Sequence, residues 1–217
     1  MKKLKHLIAT AENEAYQYFH QQIRSLPKTK TNQWDFKTGE FHNNDVDAFR
    51  HAYVSGVLTQ KFDDITANIL GQLKELEGDI KRNQSDEEKN MDLWNNHVGR
   101  QYGQKTNSKS QLLNRIHKAL NNGELIVTVD QHKDTRIYQS FDYFQSVDPE
   151  KPIVVVEENE TGRNDWFLDL IKGILLPRER FVKEIESGNY PGYRLVDINS
   201  LKTPKSKPDS KLSNNLG

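Results

Sequence analysis

Apolar residues recur at three- and four-residue spacing from Leu4 to Leu26, which predicts an amphipathic helix ended by Pro27. The polar stretch "KTKTNQWDFKTGEFHN" is then expected to be a long loop, held down by Trp34, Phe36 and Phe41. Helical periodicity resumes from Asp45 to about Phe62, with Asn43, Asn44 and Asp45 as candidate N-caps, and again from about Asp64 to Ile80. After the charged connection "KRNQSDEEKN", Ser85 and Glu88 make a capping-box signature for a helix carrying "MDLWNNHVGRQYG". A shorter helix, "SQLLNRIHKALNNG", stops at an Asn-Gly pair.

The pattern changes after Gly123. "LIVTV" and "TRIYQSF" are rich in β-formers and flank "DQHKD", which predicts a hairpin, and "IVVVEE" predicts another strand. "NDWFLDLIKGILL" and "RERFVKEIESG" have the spacing of short amphipathic helices, and "YRLVDI" predicts a last strand. From Lys202 the chain is Ser, Pro, Asn and Lys without periodicity, the signature of disorder. The expected fold is therefore mainly α: a helical body over residues 1–122, a smaller α+β portion over 123–201 and a disordered tail over 202–217.

Two stripes break the amphipathic logic. At about 100° per residue, Asp47, Arg50 and His51 fall within one third of the helix circumference, in line with Val54, Val57 and Leu58. On a solvated helix, charges lie opposite the apolar residues, so these three begin a face whose continuation is core. Burying them unpaired would cost several kcal/mol. The second stripe is Asp92, Asn95, Asn96 and Gly99, spaced i, i+3, i+4 and i+7 beside an apolar face of Met91, Trp94, Val98 and Tyr102. Asn, Asp and Gly together cost about 2–3 kcal/mol relative to Ala in a helix. Something other than helix stability selects them. Gly99 admits a close backbone or ligand, the Asn amides can orient it, and Arg100 adds a fixed cation suited to carboxylate or phosphate.

Composition narrows the function. Lys plus Arg and Asp plus Glu are balanced at 31 each, so no overall field draws the chain to nucleic acid or anionic membrane. There is no Cys, hence no thiolate nucleophile, no disulfide and no Cys-ligated zinc. The basic start "MKKLKHLIATAENEAYQYF" has too short an apolar run for a signal peptide, interrupted by Glu12 and Glu14. No run approaches the roughly 20 apolar residues of a transmembrane helix. The other histidines show no His-Glu-x-x-His spacing, and His97 falls on a different face from Asp92.

"DAFRHAY" at Asp47–Tyr53 together with "MDLWNNHVGR" at Met91–Arg100 resembles an uncharacterised bacterial helical domain with DAFRHAYW-like and MDLxNNxxGR-like motifs. The resemblance covers roughly residues 42–125, including "KALNNGEL". Val54 stands where that family often has an aromatic, and its acidic residue between the motifs falls at Glu75 or Glu77. Because the domain occurs at the toxin ends of secreted polymorphic toxins and in stand-alone proteins, the resemblance implies a toxin-like or effector-like enzyme. It also implies synthesis in a bacterial cytoplasm, release by a specialised secretion system and an immunity or carrier protein as partner.

A His one turn from an Asp is a general-base unit. Asp47, His51 and Asp92 could instead bind a divalent cation such as magnesium, calcium or manganese. Either arrangement makes a nucleophile of water, with Arg50 and Arg100 stabilising negative charge and Asn95 and Asn96 positioning the substrate. The expected activity is hydrolysis of a phosphate-containing or lipid substrate. Ser55, one turn beyond His51, lacks a Gly-x-Ser-x-Gly elbow. One rival is a non-catalytic binding module, in which Asp47 and Arg50 form an ion pair, His51 is a core histidine and the Asn amides satisfy a neighbouring loop. Another is a phospholipase A2-like enzyme, similar only in setting "RHAY" against an Asp, without that family's calcium loop or cysteines.

Overall fold

The computed structural model describes residues 1–82, 84–129, 134–139, 146–208 and 216, with backbone alone over 74–82, so that Glu75 and Glu77 lie outside the described side chains. The chain is mainly α, with six helices among the described residues and a small C-terminal region of two antiparallel sheets. It divides into two compact units, Lys5–Gln139 and Met1–Leu4 with Ser140–Gly217.

The first unit is helical: α1 (Lys2–Gln22), α2 (Asp45–Lys61), α3 (Asp64–Arg82), α4 (Asp86–Gln104) and α5 (Lys109–Asn121). Of the three candidate caps of α2, Asn44 does the work, its side chain accepting the N–H groups of Val46 and Asp47. The α4 capping box is complete, Ser85 and Glu88 each accepting the other's backbone N–H. The loop after α1 packs down as its aromatics predict: Tyr16 makes edge contacts with Trp34, Phe36 and Phe41, and Trp34 donates to Asn13.

Helices α2 and α4 touch backbone to backbone. A Cβ on Gly99 would stand 1.9 Å from the Ala52 carbonyl oxygen, and one on Gly103 2.6 Å from that of Gly56. These contacts climb both helices together, so α2 and α4 run the same way with α3 as the return.

The expected hairpin is not a strand pair among the described residues. Residues 125–129 and 134–139 have no regular secondary structure and no ladder, while 130–133 and 140–141 lie outside the described residues. Polar side chains replace the ladder. Asn95 exchanges two hydrogen bonds with Ile126, donating to its carbonyl and accepting its N–H, both at 2.9 Å. Asn90 does the same for Arg136 and Tyr138, and Trp94 donates to the Glu124 carbonyl. Arg136 donates to the carbonyls of Gly123, Glu124 and Leu125. Backbone groups at Leu125, Ile126, Arg136 and Tyr138 are thus satisfied by α4 and by one arginine.

In the second unit β1 (Ile153–Glu158), β2 (Asn164–Asp169) and β3 (Ile174–Pro177) form an antiparallel sheet in sequence order, followed by α6 (Arg178–Glu186) and a β4 (Tyr193–Ile198)–β5 (Leu201–Ser206) hairpin. Its core contains Ile153, Phe167, Leu176, Phe181, Tyr190 and Tyr193. The helix expected over 164–176 is instead β2, a turn and β3. Asp169 accepts the N–H groups of Ile171 and Lys172, and Gly173 takes a left-handed φ of 60°, which reverses the chain where a helix would continue. The expected disorder from Lys202 is also corrected at its start, because Leu201–Ser206 pairs with β4. Asn199 and Ser200, at φ 52° and 62°, form the two-residue loop whose left-handed backbone a type I′ hairpin requires. Leu216 is buried, its N–H donating to Ser206.

The α2–α4 contact makes opposite predictions for two glycines. Gly99→Ala forces a methyl into a carbonyl and should destabilise the protein by about 3 kcal/mol or more. Gly71→Ala, whose Cβ meets only Asn96 Nδ2 at 3.7 Å, should stabilise it by up to about 1 kcal/mol through helix propensity. Urea denaturation of both variants checks the pair, and a Gly99→Ala protein as stable as wild type would refute the contact.

Candidate functional site

The glycine contact fixes which side chains meet. Asp47 lies one turn before Arg50 and His51 on α2, and the approach of α4 sets Asp92 against them. His51 Nε2 is 3.1 Å from Asp92 Oδ1 and 3.6 Å from Asp47 Oδ1. Arg50 Nη2 lies 2.5 Å from Asp47 Oδ1 and 2.5 Å from His51 Nε2, while its Nη1 donates to Glu12 at 3.3 Å. The second oxygen of Asp47 accepts the Asn43 N–H at 2.8 Å, Asn43 having the left-handed φ of 51° that turns this N–H towards it. The second oxygen of Asp92 accepts from Gln84 at 2.7 Å. Asp47, His51 and Asp92 are all buried.

Electrostatics follow from this enclosure. Burial works to raise the Asp47 pKa, but the Arg50 guanidinium, the charge of His51 and hydrogen bonds from Arg50 and Asn43 outweigh it and hold the carboxyl at about 2. Asp47 is therefore a carboxylate under any physiological condition.

The Asp47–His51–Asp92 group could hold a metal ion, since one ligand atom from each residue lies within 4.8 Å of the others. An ion bonds imidazole and carboxylate at about 2.0–2.2 Å, so neighbouring donors around it stand roughly 3–3.5 Å apart. The 3.1 Å from His51 Nε2 to Asp92 is of that size, and the 3.6 Å to Asp47 is slightly longer. Beside the group is a cavity of about 20 Å³ bordered by Arg50, His51, Ser55 and Asn96, with Leu58 and Leu70 as apolar walls. A space of that size holds one water molecule. Ser55 Oγ is buried there without a hydrogen-bond partner among the described residues, so it does not pair with His51 as a nucleophile pairs with its base.

The structure thus brings together Asp47, Arg50, His51 and Asp92, with Asn96 on the cavity wall. It turns two predicted residues elsewhere. Asn95 is fully engaged with the Ile126 backbone, which is the loop-satisfying alternative. Arg100 is buried and donates to Asp64 at 3.1 Å and to the Tyr138 hydroxyl at 3.2 Å. His97 contacts Gln101 and the Tyr138 ring. Glu12 and Gln84 were not singled out from sequence. The signal for Glu12 was present: it lies on the α1 stripe of Tyr16 and Phe19, four and seven residues on, a charge in line with core as in α2.

Two measurements probe this geometry. The Asp47 pKa is depressed on folding, so its stabilisation is complete above about pH 4 and is lost as pH falls through about 2. The wild-type minus Asp47→Asn difference in unfolding free energy should therefore fall by about 2 kcal/mol between pH 5 and pH 2. A difference independent of pH would mean Asp47 is not held ionised by its neighbours. Asn95→Ala leaves a buried N–H and carbonyl at Ile126 unpaired and should cost about 2–4 kcal/mol in chemical denaturation, whereas an amide free to serve a substrate would cost almost nothing.

No curated protein and no solved structure was found to match the chain. A family model described as "Domain of unknown function (DUF6973)" matches residues 7–124, a span that holds every residue of the site from Glu12 to Asn96. Because that span is more than half of the 217 residues, the chain belongs to the DUF6973 family.

Proposed function

We propose that the chain is a bacterial effector-type hydrolase that uses a divalent cation, held by Asp47, His51 and Asp92, to activate water against a phosphoester or lipid substrate. The single observation behind the reading is the convergence of one imidazole nitrogen and two carboxylate oxygens beside a water-sized cavity. A donor set of one nitrogen and two oxygens suits manganese better than magnesium or calcium, which favour oxygen alone. The ion would supply a water of lowered pKa and a positive charge for the leaving oxygen. In this chain Asp47 and Asp92 hold their geometry through Asn43 and Gln84, as supporting hydrogen bonds orient ligands generally. Asn96, on the cavity wall beside Arg50, positions the incoming group. The effector setting rests on the two motifs in "DAFRHAY" and "MDLWNNHVGR". No helix among the described residues is long and apolar enough to cross a membrane.

A second reading, a buried network that fixes the register of α2 on α4, is favoured by one observation: Arg50 already joins Asp47 to His51 at 2.5 Å on each side. The two readings separate on one experiment. The full chain is assayed with manganese, magnesium and calcium on bis(p-nitrophenyl) phosphate and on phosphatidylglycerol vesicles. The expected result is cation-dependent hydrolysis removed by EDTA and by His51→Ala or Asp92→Asn, with His51→Ala stability within about 2 kcal/mol of wild type. Absence of hydrolysis with every ion, together with unfolding of His51→Ala, would establish the network instead. A saturating cation should also raise the melting temperature, by about 2.7 kcal/mol of stabilisation at one hundred times its Kd.

A further inference from the structure

We propose that Arg50 is the resident cation of this site: its guanidinium occupies the place of a divalent ion between Asp47 and His51, and an arriving ion displaces it onto Glu12. The inference rests on the metal-centre reading above. Two of the three atoms that would bind the ion, Asp47 Oδ1 and His51 Nε2, are the atoms that Arg50 Nη2 touches at 2.5 Å. An ion bonded to both at about 2.1 Å would crowd against that nitrogen, at a distance where van der Waals overlap and like-charge repulsion both forbid it. Ion and guanidinium are therefore alternatives.

The displaced group has somewhere to go. Arg50 Nη1 is already 3.3 Å from Glu12 Oε1, so a small rotation of the side chain exchanges the Asp47 pairing for a closer one with Glu12. The exchange keeps charge compensated throughout. Asp47 and Asp92 have a guanidinium in one state and the ion in the other, and Glu12 takes up the positive charge released. Ion selectivity follows. A monovalent cation replaces one positive charge by one and gains nothing electrostatically, whereas a divalent ion adds a unit of charge opposite two carboxylates. Arg50 in this way sets both the affinity of the site and the charge it accepts.

The test is manganese binding to the full chain by titration calorimetry, for wild type, Arg50→Gln, Glu12→Gln and the double variant. Removing the competing cation should tighten binding about tenfold or more in Arg50→Gln. Glu12→Gln should weaken it severalfold, and in the Arg50→Gln background should change it little, because Glu12 acts through Arg50. Equal or weaker binding by Arg50→Gln, with manganese still bound by wild type, would overturn the exchange and leave the metal centre standing. Failure of all four proteins to bind manganese would overturn both. Should Arg50→Gln not fold, Glu12→Gln decides alone: unchanged affinity refutes the exchange.

Discussion

Everything at the site depends on the backbone contact between α2 and α4. Gly99 and Gly103 carry no side chain where Ala52 and Gly56 present their carbonyls, so the helix axes approach more closely than side-chain interdigitation allows. Only at that separation does a histidine on α2 reach a short Asp on α4, His51 Nε2 standing 3.1 Å from Asp92 Oδ1. A methyl at Gly99 does not merely crowd a ligand. It moves one helix, and with it Asp92, away from the other. The glycines are poor helix formers kept at a cost in propensity, and the approach they permit is what that cost achieves.

The approach creates an electrostatic problem that the surrounding residues answer. Two buried carboxylates beside an imidazole demand positive charge or protons. Arg50 supplies the charge, and Asn43 and Gln84 satisfy the second oxygens of Asp47 and Asp92. Each supporting group enters from a different stretch of chain: Glu12 from α1, Asn43 from the loop before α2, Gln84 from the connection before α4. That convergence gives the helical unit its centre. It also explains why α4 carries so many amides, since Asn90 and Asn95 serve the irregular segments on its other side.

The positions of α2 and α4 were legible because helical spacing coincides with local start signals, Asn44 and Ser85 each accepting a backbone N–H in the first turn. The buried cluster was legible in part, for a related reason: a charge in line with core residues is a violation that periodicity reveals. Asp47, Arg50, His51 and Asp92 were found by that violation. Asn95 and Arg100 produced the same signal for a structural cause, since a polar residue facing a loop or an Asp on the next helix violates amphipathicity as much as one facing a ligand. Spacing along one helix says which face a residue takes and nothing about what stands opposite. The β2–β3 region failed differently. "NDWFLDLIKGILL" satisfies a helical pattern over a short window, and the turn that breaks it depends on the Asp169 side chain accepting two N–H groups and on Gly173.

What separates a catalytic or metal centre from a mere register device is the treatment of its leftover polar atoms. A network selected only to lock α2 on α4 should satisfy every buried donor and acceptor, because each unsatisfied one costs about 1–3 kcal/mol. Ser55 does not fit that expectation. Its hydroxyl is buried at 3% exposure without a hydrogen-bond partner among the described residues, one turn beyond His51, and it faces a space large enough for one water molecule. An alanine there would remove the penalty and keep the packing, yet the chain carries a serine. The arrangement makes physical sense if the hydroxyl and the Asn96 amide across the cavity hold a water molecule next to the group formed by His51, Asp47 and Asp92. Such a water would be the reactant of the hydrolytic reading proposed above, whereas a purely structural network has no use for it.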